Sequence, residues 1–268
     1  MKINVFINPG RNDSETKSLV EKLLMDKGFE IDEKNPDVVL YLGGDGTFLR
    51  AVEAYFNKLE YIYFIGINYG NLGFFYDFQK SDLDALIAAL ENNDFKVTEH
   101  ALLQGDIVFE NKTETVYAVN EIRVENPFHT LICDVLINDK NLETFHGNGL
   151  LVASSYGSTA YNKSLGGAVV SHNLECLQLT EIATIQNNFN RSLGSSLILS
   201  KQDRITLRGE FRRSVVGFDY KTTSDDGLKE LTISLSDKKV RMLHPKDYSE
   251  IIKLKRSFIK WFTMDSCK

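Results

Sequence analysis

The chain has 268 residues, with 31 Lys plus Arg against 37 Asp plus Glu and a formal net charge of −6. That length suits two domains of roughly 150 residues or one large one, with a core that needs no disulfide or metal staple. Hydrophobic residues at 43% and charged residues at 25% exclude a disordered chain, and the acidic balance argues against a general nucleic-acid binder. The three cysteines, Cys133, Cys176 and Cys267, are scattered and odd in number, which suits a reducing compartment better than a disulfide framework. The opening Met1–Ile7 is too short and mixed for a signal peptide. No run of about 18 apolar residues offers a membrane span. The expectation is a cytoplasmic protein with neither membrane nor nucleic acid among its partners.

In chain order, residues 2–7 alternate and stop at Asn8-Pro9-Gly10, a strand leaving into a loop. Ser14 can cap a helix with Leu19, Val20, Leu23 and Leu24 on one face, ending at Gly28. Asp37–Leu42 is a continuous apolar run of the kind found in buried parallel strands. It runs into Gly43-Gly44-Asp45-Gly46-Thr47 and then a helix with Phe48, Leu49, Val52, Tyr55 and Phe56 inward. A second buried strand spans Tyr61–Ile67, and Ser81 opens a helix with Leu83, Leu86, Ile87 and Leu90 inward. Alternating strands and helices predict an α/β domain with a parallel sheet over residues 1–97.

Beyond it the texture changes to short β-rich runs at 105–109, 115–124, 131–138, 150–153, 204–208, 214–218, 231–235 and 239–243. Tyr161–Leu165 and Glu175–Glu181 read as short helices. Residues 98–248 are therefore expected to form a mostly β domain, with the segment 249–268 packing back on the first. In that last segment Lys253, Lys255, Arg256 and Lys260 read as a solvated face.

Two stretches carry chemistry. Gly43-Gly44-Asp45-Gly46-Thr47 stands at the carboxyl end of a buried strand, where open α/β sheets bind ligands. Its glycines admit a phosphate to the backbone, and the next helix offers free N–H groups. An aspartate there would repel an anion, but it suits a base taking a proton from a hydroxyl that attacks a phosphate. The plain alternative is a tight turn with Asp45 as a helix cap. Between Thr144 and Leu174, 31 residues, only Lys163 is formally charged, and five glycines accompany many small hydroxyls. The heart of that stretch, Gly157–Gly167, with small residues, one aromatic (Tyr161) and one cation (Lys163), suits a nucleoside pocket, or simply a glycine-rich turn between buried strands. The P-loop pattern is absent, and Leu49 stands where a dinucleotide fingerprint wants Gly or Ala. The five histidines show no metal-ligand spacing, so no protein-held metal site is expected.

Four segments in order resemble the NAD kinase family in its compact bacterial form. They are Gly43–Thr47, then Gly66-Ile67-Asn68 with Asn71-Leu72-Gly73-Phe74, then Val119-Asn120-Glu121, then Thr159–Gly167. The first is shared with lipid kinases and phosphofructokinases; the last is highly specific. The resemblance implies ATP-dependent phosphorylation of the 2′-hydroxyl of the adenosine ribose of NAD, giving NADP, by dimers or tetramers, with a divalent cation such as Mg²⁺ on the triphosphate. It makes Asp45 the general base and sets Gly46 on the nucleotide, with Arg50 a candidate for a phosphate. Asn120 and Glu121 would hold the adenosine part of NAD. Thr159, Ala160, Tyr161, Asn162, Lys163 and Ser164 would line the dinucleotide, with Tyr161 against a base and Ser164 on a ribose. Ala183 matches a further adenine-side position. His146-Gly147-Asn148-Gly149 stands where the family commonly has Arg-Gly-Asp-Gly, so the ribose or nicotinamide contact that the resemblance implies for His146 and Asn148 would be weaker or neutral. Ser171-His172 replaces the proline that usually follows the twin glycine. Two other activities remain compatible with parts of the sequence: a diacylglycerol-type lipid kinase, and a non-catalytic dinucleotide sensor.

Overall fold

The computed structural model describes residues 1–10, 13–69, 73–224 and 227–259. In chain order the elements are β1 (Lys2–Ile7), α1 (Ser14–Asp26), β2 (Glu30–Ile31), β3 (Val38–Leu42), α2 (Asp45–Ala54), β4 (Tyr63–Asn68), β5 (Phe78–Gln79), α3 (Leu83–Asn92) and β6 (Phe95–Phe109). They continue with β7 (Thr113–Ala118), β8 (Glu121–Glu125), β9 (Leu131–Ile137), β10 (Lys140–Gly147), β11 (Gly149–Ser154), α4 (Tyr161–Ser164), β12 (Cys176–Ile182) and β13 (Leu197–Ser200). The last are β14 (Ile205–Gly209), β15 (Val215–Phe218), β16 (Lys221–Thr223), β17 (Leu228–Pro245) and α5 (Glu250–Phe258). The chain divides into two compact units, Met1–Glu99 with the residues from Val240 on, and His100–Lys239.

The first unit is an α/β domain. Its parallel strands run β2-β1-β3-β4, and the end of β17 lies parallel to β4 through Met242 and Phe64. Strand periodicity decides which face each helix covers. Ile3, Val5, Leu40, Leu42, Ile65 and Ile67 pack with Val20 and Leu24 of α1 and Leu86, Ile87 and Leu90 of α3. The intervening residues turn the other way. Phe48 of α2 meets Tyr41 at 5.3 Å and Phe64 at 6.0 Å, and Asn4 bonds to the Tyr55 hydroxyl at 2.7 Å. Helices cover both faces of the sheet, and Asp45 stands at the carboxyl end of β3.

The second unit is mostly β. One antiparallel sheet has the order β13-β12-β11-β8-β15-β16; in another, β10, β9, β14 and β17 pair in sequence. Their inward residues share one core that includes Leu103, Ile122, Phe145, Leu150, Leu177, Leu207 and Leu231.

Three local expectations are corrected. The expected helix over 175–181 is instead strand from Cys176 on, because β12 is bonded on both edges, by β11 and β13. Its buried Gln178 is satisfied by both backbone groups of Ala168. The run 115–124 is two strands, because the Asp219 carboxylate takes the amides of Val119 and Asn120 at 2.8 and 2.7 Å. The runs 231–235 and 239–243 are a single strand that passes through Ser236-Asp237-Lys238 without a turn.

Candidate active site

In the first unit the GGDGT segment is a strand-to-helix turn. Gly43, at φ +147°, occupies backbone space that side chains rarely enter, and Gly44 is the N-cap of α2. Asp45 is therefore inside the helix, and it does not cap it. Its Oδ1 accepts the N–H of Phe74 at 2.7 Å and of Phe75 at 2.9 Å, and its Oδ2 lies 2.9 Å from the Phe74 nitrogen. A helix cap would have accepted the helix's own amides; this carboxylate is instead clasped by another loop. That loop is positioned in turn by the Tyr41 hydroxyl, which donates to the Phe75 carbonyl, and by Phe48, whose ring lies 4.6 Å from that of Phe75. Burial is the largest influence on the Asp45 carboxyl and pushes it up. The amides of Phe75 and Phe74 and the Lys253 charge pull it back only in part, leaving it above the ordinary carboxylate value. Gly46 and Arg50, further along α2, are exposed. Asn71 and Leu72 lie outside the described residues, as do Lys260 and Cys267.

Lys253 is not on a solvated face. It is 5% exposed and its ammonium lies 2.8 Å from Asp77 Oδ1. The other Asp77 oxygen meets His244 Nδ1 at 2.5 Å, and Thr98 Oγ1 closes the chain at 2.8 Å from His244 Nε2. Alternating basic and apolar residues in 251–262 gave no sign of which lysine would be buried.

The second unit holds the other candidates. Asn120 and Glu121 are buried at the start of β8, and their backbone is fixed by Asp219 through the Val119 and Asn120 amides. Asp219 itself sits at φ +50° in the turn between β15 and β16, where nothing in the sequence singles it out. Gly157 lets the next segment lie against Asn120: a Cβ there would stand 1.9 Å from the Asn120 carbonyl oxygen. Among the described residues, Asn120 Oδ1, Glu121 Oε2 and Asn162 Nδ2 are buried without a hydrogen-bond partner. Burial, then the nearby Asp219 charge, push Glu121 up to about 8, against a smaller downward pull from Arg123.

Tyr161 is 37% exposed and its hydroxyl lies 3.2 Å from Glu125 Oε1, with the Arg123 guanidinium 5.7 Å from its ring centre. Arg123, which sequence reasoning missed, also bonds Glu125 at 2.8 Å. Asn162 accepts the Thr180 hydroxyl at 2.7 Å. Thr159 and Ala160 are half-buried, while Lys163 and Ser164 are exposed. His146 and Ala183 are neighbours through the backbone: Ile185 N–H donates to the His146 carbonyl at 2.7 Å, and Asn148 N–H to that of Ile182 at 2.9 Å. Ala183 is held at φ +48°. The His146 ring bonds its own strand at the Thr144 carbonyl, 3.2 Å away, and the Asn148 side chain reaches Asn126 at 3.4 Å.

The profile of the ATP-NAD kinase N-terminal domain matches residues 10–95, and that of the ATP-NAD kinase C-terminal domain matches residues 119–244. The chain belongs to the NAD kinase family. Family relatives include NAD kinase 1 of Bacillus cereus (strain ZK / E33L), 32% identical over 97% of this chain and 99% of the relative. The NAD kinase of Pediococcus pentosaceus is 35% identical over 97% of this chain and 98% of its own length. Two solved NAD kinase-type structures share the fold. Yeast NADH kinase complexed with NADH superposes with a TM-score of 0.79 at 18% identity, covering 98% of this chain and 89% of that one. The NAD kinase from Archaeoglobus fulgidus in complex with ATP gives 0.74 at 23% identity, covering 96% of each chain.

Proposed function

We propose that the protein is an ATP-dependent NAD kinase, transferring the γ-phosphoryl group of ATP to the 2′-hydroxyl of the adenosine ribose of NAD to give NADP. The observation that carries the reading is Asp45. It is an aspartate in a glycine turn, clasped by the amides of Phe74 and Phe75 and raised above its ordinary pKa, in a chain of the NAD kinase family. A carboxylate with a raised pKa is a better proton acceptor than a solvated one. In this reading Asp45 takes the hydroxyl proton as the 2′-oxygen attacks the γ-phosphorus in line. Gly46 offers its backbone to the nucleotide and Arg50 faces a phosphate.

The adenosine part falls to Asn120 and Glu121. Two unpartnered buried oxygens cost about 1–3 kcal/mol each, and ribose hydroxyls are the donors that would satisfy them. Thr159, Ala160, Tyr161, Asn162, Lys163 and Ser164 line the dinucleotide, with Ala183 on the adenine side. His146 and Asn148, standing where the family commonly carries Arg and Asp, contact ribose or nicotinamide.

Among the described residues no group of three or more His, Cys, Asp or Glu could hold a metal ion. Asp45, with its oxygens already engaged by amides, offers at most one ligand. The residues thus fit a cation that would arrive on the triphosphate with its own waters, as Mg²⁺ does. Bound there, it spreads the charge of the transferring group. We also place the protein in the cytoplasm as a dimer or tetramer; no helix among the described residues is long and apolar enough to cross a membrane. The family matches lend no support to a lipid kinase or a silent sensor.

The test is incubation of the purified protein with NAD, ATP and Mg²⁺, followed by an NADP-specific dehydrogenase. NADP accumulation is expected. NAD binding without product would favour the sensor.

A further inference from the structure

We propose that Lys253 is a positioning residue for this reaction, its buried, Asp77-paired side chain fixing the Phe74 loop that clasps Asp45. The inference deepens the kinase reading and rests on it. Three observations meet at this side chain. Lys253 is buried and paired with Asp77 at 2.8 Å, an arrangement that fixes the ammonium in one place. Its nitrogen lies 5.5 Å from the centre of the Phe74 ring, the residue whose amide donates to Asp45. Phe74 is also stacked on Phe258, at the end of the same helix, at 6.1 Å. Helix α5 therefore bears on the Asp45 clasp both through charge and through packing.

An ammonium this buried must have a use or a compensation. Compensation is present: Asp77 takes it, and Asp77 is itself held by His244 and the His244–Thr98 bond. That chain of bonds spans Asp77, β6, β17 and α5, and its end points at the catalytic loop. The groups that face Lys253 are Asp77 and Asp45, which favour its charge, Arg256, which opposes it, and the rings of Phe74 and Tyr248. Burial lowers the Lys253 pKa and outweighs the two carboxylates, while its charge in turn draws Asp45 down. Attraction between unlike charges stabilises the ionised carboxylate over the neutral acid, so the Lys253 charge opposes the upward push that burial exerts on Asp45.

The test compares wild type, Lys253→Met, Lys253→Arg and the double variant Asp77→Asn/Lys253→Met, with kcat and KM for NAD measured across pH. The double variant leaves neither charge buried alone, so it keeps the question open should Lys253→Met not fold. Loss of the ammonium is expected to cut kcat about tenfold or more while KM for NAD changes little. The deficit should be greatest at acidic pH, with the acid limb moved to higher pH, and Lys253→Arg should restore most of the rate. A double variant with the wild-type pH profile overturns the proposal. A deficit equal at every pH overturns it too, since that is what a merely structural residue would give. A wild-type protein that makes no NADP would instead overturn the kinase reading itself.

Discussion

Gly46→Ala separates a glycine kept for function from one kept for packing. Gly46 is the second residue of α2, its φ lies outside the left-handed region, and a Cβ there would meet nothing within 4 Å. Alanine is favoured over glycine in a helix by about 0.5–1 kcal/mol, so the substitution should leave the fold intact and raise Tm by roughly 1–4 °C. Turnover should move the other way. If a phosphate approaches the Gly46 backbone, the new methyl stands in its path, and overpacking of that kind costs about 1–3 kcal/mol. That corresponds to a loss in kcat/KM of between about fivefold and about a hundredfold. The assay is a thermal melt beside steady-state kinetics with ATP and NAD. A variant as stable and as active as wild type would refute the close approach. A destabilised one would refute the open space above Gly46.

Gly66→Ala should instead destabilise, because its Cβ would stand 2.4 Å from the Tyr41 ring, the side chain that holds the Phe75 carbonyl; a urea titration should show a loss of about 1–3 kcal/mol, and an unchanged midpoint would contradict that packing. Glu121 sets a pH dependence. Its folded pKa of about 8 lies above the reference value of 4.5, so between those values the folded state holds a proton that the unfolded state has lost. Wild type should therefore lose stability relative to Glu121→Gln as pH rises through that window, by about 1.4 kcal/mol per unit at most, and parallel pH–stability curves would contradict the burial. Asp77→Ala strands the buried Lys253 ammonium and should cost about 3–5 kcal/mol in denaturant unfolding; a loss near zero would mean that the pair is solvated.

The first unit was largely legible because buried parallel strands leave continuous apolar runs, such as Val38–Leu42, that stop at glycines. Asp45 stood out for the same reason: an acid among glycines at a strand end has few structural uses. The second unit was harder. Ser236-Asp237-Lys238 looks like a turn, yet β17 continues through it. Val119-Asn120 looks like strand, yet a carboxylate from the distant Asp219 takes its amides. Both outcomes depend on partners far along the chain, which local composition does not record. Lys253 was misread for a related cause, since among four basic residues only tertiary contact decides which one is buried against Asp77.

Asp45→Asn decides whether Asp45 is the base. Asparagine keeps an Oδ1 to accept the Phe74 and Phe75 amides but cannot take the hydroxyl proton. The variant should bind NAD as wild type does and form NADP about a hundredfold more slowly or worse. NADP formation at the wild-type rate would show that another group takes the proton.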